Sequence, residues 1–117
     1  MSSKKFTSLI NVISEDNSTK DVIRQLKIEL MTLKRMGVKK VKILHGQGLS
    51  SDGLNISNTV RAELKEQVRA DKIKYFCPGE VFGPFEREGR QITDIDSSFR
   101  EDEDWSKSNS KVTLVSL

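Results

Sequence analysis

The chain has 117 residues, 35% hydrophobic and 32% charged, with a net charge of +3; that is enough for one domain around a modest core. No window approaches the roughly 18 apolar residues of a membrane span, and the start "MSSKKFTSLINVIS" is too broken for a signal peptide. The single cysteine, Cys77, excludes an internal disulfide framework and a cysteine-rich zinc site, and makes the cytoplasm the expected compartment.

In chain order, Phe6 to Ile13 reads as a short strand rich in Leu, Ile and Val. The turn "SEDNST" supplies Ser18 and Thr19 as helix N-cap candidates. From Lys20 to Met36, Ile23, Leu26, Leu30 and Leu33 recur at helical spacing, and Gly37 fits the stop. "VKKVKILH", Val38 to His45, is a second strand, covered on both faces. Strand, helix and strand with short links form a βαβ unit, so the two strands should be parallel. After the loop from Gly46 to Asn55, Ile56, Val60, Leu64 and Val68 repeat every four residues as a second helix. "KIKYFC" is a third strand, stopped by Pro78 and Gly79.

Beyond Gly79 the periodicity weakens. "VFGPFEREGRQITDI" reads as a hairpin turning at Glu88-Gly89. "DSSFREDEDWSKSNS" is acidic and serine-rich and reads as a mobile loop. "KVTLVSL" is a last strand, tied into the sheet. The expected architecture is a single α/β domain: a two-layer sandwich with a mixed four-stranded sheet and two helices, a tail over 1–5 and an insertion over 78–110.

Charge is divided along the chain. Fifteen Lys/Arg face eight Asp/Glu up to Phe76, and five face nine from Cys77 onward. A basic body suits a polyanion partner, or simply solvates an ordinary surface. Among the rest, Cys77 reads as a small buried hydrophobe. Trp105 is either a lid or a stacking group. The aspartates at 94, 96, 102 and 104 lack Ca²⁺-loop spacing, so a solvated acidic loop is the simpler reading.

The only histidine, His45, ends the second strand, and "GQG" follows. In a parallel α/β sheet, ligands bind outside the carboxyl ends of strands. Gly46 and Gly48 let another backbone approach, and the N-terminus of the next helix favours a phosphate. The Gly46, Gln47 and Gly48 amides would hold that phosphate, with His45 as acid/base or electrostatic stabiliser. Lys39, Lys40 and Lys42 on the strand, with Arg61, Lys65 and Arg69 on the helix, would make a backbone-tracking patch if they reach one side.

This order of parts, with "VKILHGQG" after the first helix and a terminal "VTLVSL", resembles the small MutS-related (Smr) domain. His45, Gly46 and Gly48 match its HGxG motif, and Ser50, Ser51 and Gly53 stand where a longer loop variant has comparable residues. The resemblance implies binding to DNA or RNA, and in several members endonuclease activity, for which Mg²⁺ or Mn²⁺ would be the cofactor. The family's first motif, LDxH, is degenerate: Asn11 and Ile13 stand where it has the acid and the histidine. The expectation is therefore a nucleic-acid-binding domain, with a residual endonuclease as the alternative. A third reading has the 81–110 insertion as a surface for a homodimer or a protein partner.

Overall fold

A computed structural model describes residues 7–13 and 16–117. The expected tail over 1–5, and Phe6 of the first expected strand, lie outside these residues. Strand β1 (Ser8–Asn11) leads to helix α1 (Thr19–Arg35), β2 (Lys40–Leu44), α2 (Ile56–Arg69), β3 (Tyr75–Pro78), α3 (Arg87–Ile95) and β4 (Val112–Ser116). Two short 3-10 turns, Gly79–Val81 and Ser97–Glu101, flank α3.

Helix α1 has its ends written in the sequence. The Ser18 side chain accepts from the Asp21 amide at 3.2 Å, and Asp21 suits the positive end of the dipole. At the other end Gly37 takes φ of +85°. Its N–H bonds Lys34 O while that of Val38 bonds Leu33 O, which closes the last turn as a Schellman motif. Between these caps Val22, Leu26 and Leu30 form the buried stripe.

The sheet order is β1-β2-β4-β3, with β1 and β2 parallel and β4 antiparallel to both of its neighbours. The sheet is mixed and four-stranded, as the sequence indicates. Its last strand sits in the middle. Odd positions of β2 and β4 and even positions of β1 face α1 and α2, where Ile10, Val41, Ile43 and Val115 meet Leu26, Val60 and Leu64. The opposite face carries Cys77, Val112 and Leu114 against Phe82, Ile92 and Phe99. To the expected two layers the insertion therefore adds a third.

Two expectations for that insertion are corrected. First, the segment around Glu88-Gly89 is the helix α3, not a hairpin. Gly89, Ile92 and Thr93 form its buried face at spacings of three and four. Gly89 is glycine because a Cβ there would lie 2.1 Å from the Gly83 carbonyl oxygen; it permits close packing and makes no turn. Second, the acidic segment is packed on the sheet. Phe99 is buried, and Trp105 stands edge-on to Phe82 with centroids 5.0 Å apart.

The anchor of this layer is a lysine of β2. Alternation points Lys40 and Lys42 at the insertion, and both are buried. The Lys42 ammonium meets Asp102 at 2.7 Å and Asp104 at 2.5 Å. Burial works against the charged ammonium, but the hydrogen bonds and charges of these two carboxylates outweigh it and raise its pKa. Lys40 donates to Ser98 at 2.6 Å, and its ammonium stands 5.9 Å from the Phe99 ring centroid.

Removing one partner of a buried ion pair leaves the other charge desolvated and unpaired. Lys42→Met is therefore expected to cost about 3–5 kcal/mol in urea denaturation followed by Trp105 fluorescence. Adding Asp102→Asn and Asp104→Asn should recover most of the loss. A Lys42→Met protein as stable as the wild type would show that this ion pair does not hold the layer.

Candidate nucleic-acid interface

The site expected at the HGQG loop lies where β1 and β2 end. After Leu44 the chain turns at Gly46, with φ of +69°. The N–H groups of His45 and Gly46 both donate to the carbonyl of Lys111, at 3.1 and 3.0 Å. The end of β2 is thus clamped to the chain entering β4, and the Gly46 amide is not available for a phosphate.

The His45 ring is 1% exposed and both of its nitrogens are engaged. A carbonyl only accepts, so Nδ1–H donates to Gly46 O at 2.8 Å. Nε2 lies 2.9 Å from the Thr113 hydroxyl, and Arg61 Nε donates to that same hydroxyl oxygen at 3.0 Å. One consistent direction satisfies every group: Arg61 to Thr113, Thr113 to His45, His45 to Gly46. The imidazole is then neutral and protonated at Nδ1. Its pKa is lowered, first by burial and further by the Arg61 charge, against the opposing pull of the Gly46 carbonyl.

Arg61 is likewise committed. Its two terminal nitrogens form a fork to the Glu80 carboxylate, each at 2.8 Å. Glu80 is held below the usual carboxylate range, because the Arg61 hydrogen bonds outweigh the burial that opposes ionisation. A chain of contacts therefore runs from Glu80 at the insertion to His45 at the loop. No described carboxylate hydrogen-bonds His45 directly.

The rest of the loop turns back on α1. Asp52 accepts from both the amide and the hydroxyl of Thr19, and from the Ser50 hydroxyl. It caps the helix with a carboxylate, and the Ser50 and then the Thr19 hydrogen bonds lower its pKa. Ser50 is buried among these contacts, while the exposed Ser51 bonds the Asn17 carbonyl through its amide. The start of α2 is also occupied: Ile56 N donates to Gly48 O, and the Asn55 side chain accepts from Asn58 N. The phosphate seat expected from free amides on that helix is therefore mostly filled by the protein itself.

The amides of Gln47 and Gly48 remain. Both residues are exposed, and neither N–H has an acceptor among the described residues. The Gln47 side chain reaches Ser110. Beside them stands exposed Lys111, whose carbonyl clamps the turn. Sequence reasoning passed over Lys111 because its proximity follows from β4 lying next to β2. The degenerate motif is close too, since Ile13 Cδ1 lies 3.6 Å from where a Cβ on Gly46 would stand.

The expected lysine patch does not assemble. Lys40 and Lys42 are buried against the insertion. Lys39 is exposed but precedes β2, roughly 20 Å of extended chain from Gly46 at about 3.3 Å per residue. Lys65 is exposed on α2, and Arg69 pairs with Glu66 at 2.7 Å. Burial pushes the Cys77 thiol up to about 12, which suits an inert core residue. Among the described residues no cluster of three or more His, Cys, Asp or Glu could hold a metal ion, and no helix is long and apolar enough to cross a membrane.

No protein-family model matches the chain, and no curated protein matches it. Among solved structures, the Smr domain of MutS2 from Thermus thermophilus is similar, with a TM-score of 0.53 and 15% identity. The match covers 95% of this chain and 98% of that one. The chain has an Smr-like fold.

Because His45 is the only histidine, its titration can be read without ambiguity. Its folded pKa lies below the usual 6.5. The unfolded chain then binds a proton that the folded one refuses. The stability from burying the neutral ring is complete above about pH 6.5 and declines as pH falls through the folded value. The imidazole carbon-bound protons in an NMR titration should show a midpoint below 6.5. A midpoint at or above 6.5 would contradict the bonding described.

Proposed function

We propose that this Smr-like domain binds nucleic acid through the rim formed by the Gln47 and Gly48 amides and Lys111. The observation that carries this reading is a pair of N–H groups without acceptors among the described residues, on exposed residues beside a lysine, at the carboxyl ends of two parallel strands. Such a rim suits a phosphate oxygen and carries no base readout, so the expected binding is governed by backbone charge. The basic surplus up to Phe76 supports the same partner at longer range. The resemblance to the Smr family, whose members bind DNA or RNA, agrees with it.

The bonding of His45 favours binding over cleavage. A general acid or base needs a nitrogen within reach of the substrate, and both ring nitrogens are engaged inside the protein. The position that would supply a second histidine is Ile13. His45 then acts as a brace for the turn that presents the rim.

Affinity for single-stranded and duplex oligonucleotides should fall steeply with salt. Gly48→Glu enters open space, so the fold should survive while the rim turns acidic. It and Lys111→Glu should each weaken binding about tenfold, and the lysine variant should also reduce the salt slope by about one. His45→Ala should lower stability by about 2–4 kcal/mol and leave the salt slope of the folded protein unchanged. Binding that is absent at low salt, or indifferent to both rim variants, would refute the proposal. Cleavage with Mg²⁺ or Mn²⁺ that His45→Ala abolishes in a folded protein would restore the nuclease reading.

A further inference from the structure

We propose that this chain associates head to tail with further copies of itself, Phe85 of one copy entering the groove between α1 and α2 of the next. The groove measures about 440 Å³. Lys27, Leu30, Met31 and Lys34 line it at spacings of three and four along α1, and Ile73 faces them. Leu30 and Ile73 are buried at its floor, while Met31 is 50% exposed on its wall. Lys27, Lys34 and Lys72 surround it against the single carboxylate of Asp71. Lys34 donates to the Lys72 carbonyl at 2.6 Å, bracing the opening. An apolar floor inside a cationic rim fits an apolar side chain with acidic neighbours.

The chain carries such an element on its other side. Phe85 is 89% exposed, the most exposed of the large hydrophobic residues described. It follows Pro84 in the link before α3, with Glu86 next and Glu88 in the first turn of that helix. The link is held: Arg90 donates to the Pro84 carbonyl at 3.2 Å, and the Glu86 amide to Gly83 O at 3.4 Å. An aromatic ring presented on a braced loop loses little freedom on docking and has much surface to bury.

Charge favours a second copy over an arbitrary peptide. From Gly79 to Trp105 the insertion has nine Asp/Glu and three Arg, while residues 16–39 and 46–74, which carry α1 and α2, have eleven Lys/Arg and seven Asp/Glu. These segments cover opposite faces of one sheet. Phe85 therefore does not reach the groove of its own chain, whereas a neighbour turned face to back brings the acidic layer onto the basic one. Knob and groove are different patches, so the contact is heterologous. Each copy keeps one free end, and the assembly grows until it closes as a ring or remains an open array.

Sedimentation equilibrium of the wild type should give a weight-average mass above 13.3 kDa that rises with concentration. Phe85→Ser removes the knob, and Met31→Glu with Lys27→Glu spoils the groove. All three positions are exposed, so the variants should keep the wild-type circular dichroism. Each variant should raise the apparent dissociation constant at least about tenfold, as expected for loss of an anchor residue. Mixed together, they should form a one-to-one complex, because one retains the groove and the other the knob. A wild type that stays monomeric to its solubility limit would overturn the proposal. So would variants that associate like the wild type, or a mixture that forms no complex.

Discussion

Strands β2 and β4 lie at the centre of a sheet covered on both faces, yet both carry polar side chains into those covers. A buried polar group costs several kcal/mol unless it is paired, so each of these side chains dictates what packs above it. On one face Lys42 requires carboxylates, and the acidic segment with Asp102 and Asp104 supplies them. On the other, Thr113 and His45 satisfy one another, and Arg61 closes the set. No buried side-chain nitrogen or oxygen among the described residues lacks a partner. This pairing is specific where apolar burial alone is not, and it gives the insertion one way to lie on the sheet.

The same constraint recasts the histidine. Before the sheet order was known, His45 stood at a strand end beside two glycines, where a catalytic residue would stand. Once β4 lies beside β2, the ring has Thr113 next to it and a carbonyl on its other nitrogen. Its neutral form then fits the surroundings better than its charged form. Exposure moves two and three residues further, to Gln47 and Gly48, whose side chains say little but whose amides are unpaired among the described residues. The chemistry available at the loop is therefore carried more by the main chain than by the imidazole.

How much of this was legible in the sequence depended on range. Helix α1 was readable because its caps and its stripe are local, within four residues of one another. Strand β2 and helix α2 were readable for the same reason. Helix α3 was not, because the turn signal of Gly89 outweighed the helical spacing of Gly89, Ile92 and Thr93. What decides between those readings is Gly83, pressed against the helix by tertiary packing. The fate of the lysines was hidden by distance along the chain: Lys42 meets its carboxylates about sixty residues away, and Arg61 meets Glu80 nineteen away. A lysine in a strand looks like a surface cation until the acidic segment that covers it is known to fold back. The unpaired amides could not be seen at all, since every residue but proline has one and only the hydrogen-bond pattern shows which are left over.

The burial of Lys40 and Lys42 also separates the electrostatics of the two faces. The β2 lysines do not stand outside as surface cations. Instead Lys42 neutralises charge within the interface, and the acids beyond it, Glu86, Asp94, Glu101 and Glu103, stay outside. The helical layer keeps Lys20, Lys27, Lys34 and Lys65 exposed. Unlike charges are thus sorted onto opposite sides of one sheet about a single chain thick. A molecule sorted in this way is attracted to a polyanion by one face and repelled by the other, which orients it before any contact forms. The rim at Gln47 and Gly48 lies at a third place, the carboxyl ends of β1 and β2. Helix α1 starts beside that end, where Thr19 meets Asp52, whereas the groove lies toward its far end and the chain that leads into β3. Contact at the rim and contact at the groove therefore do not compete for the same residues, and a stack of copies would leave every rim open.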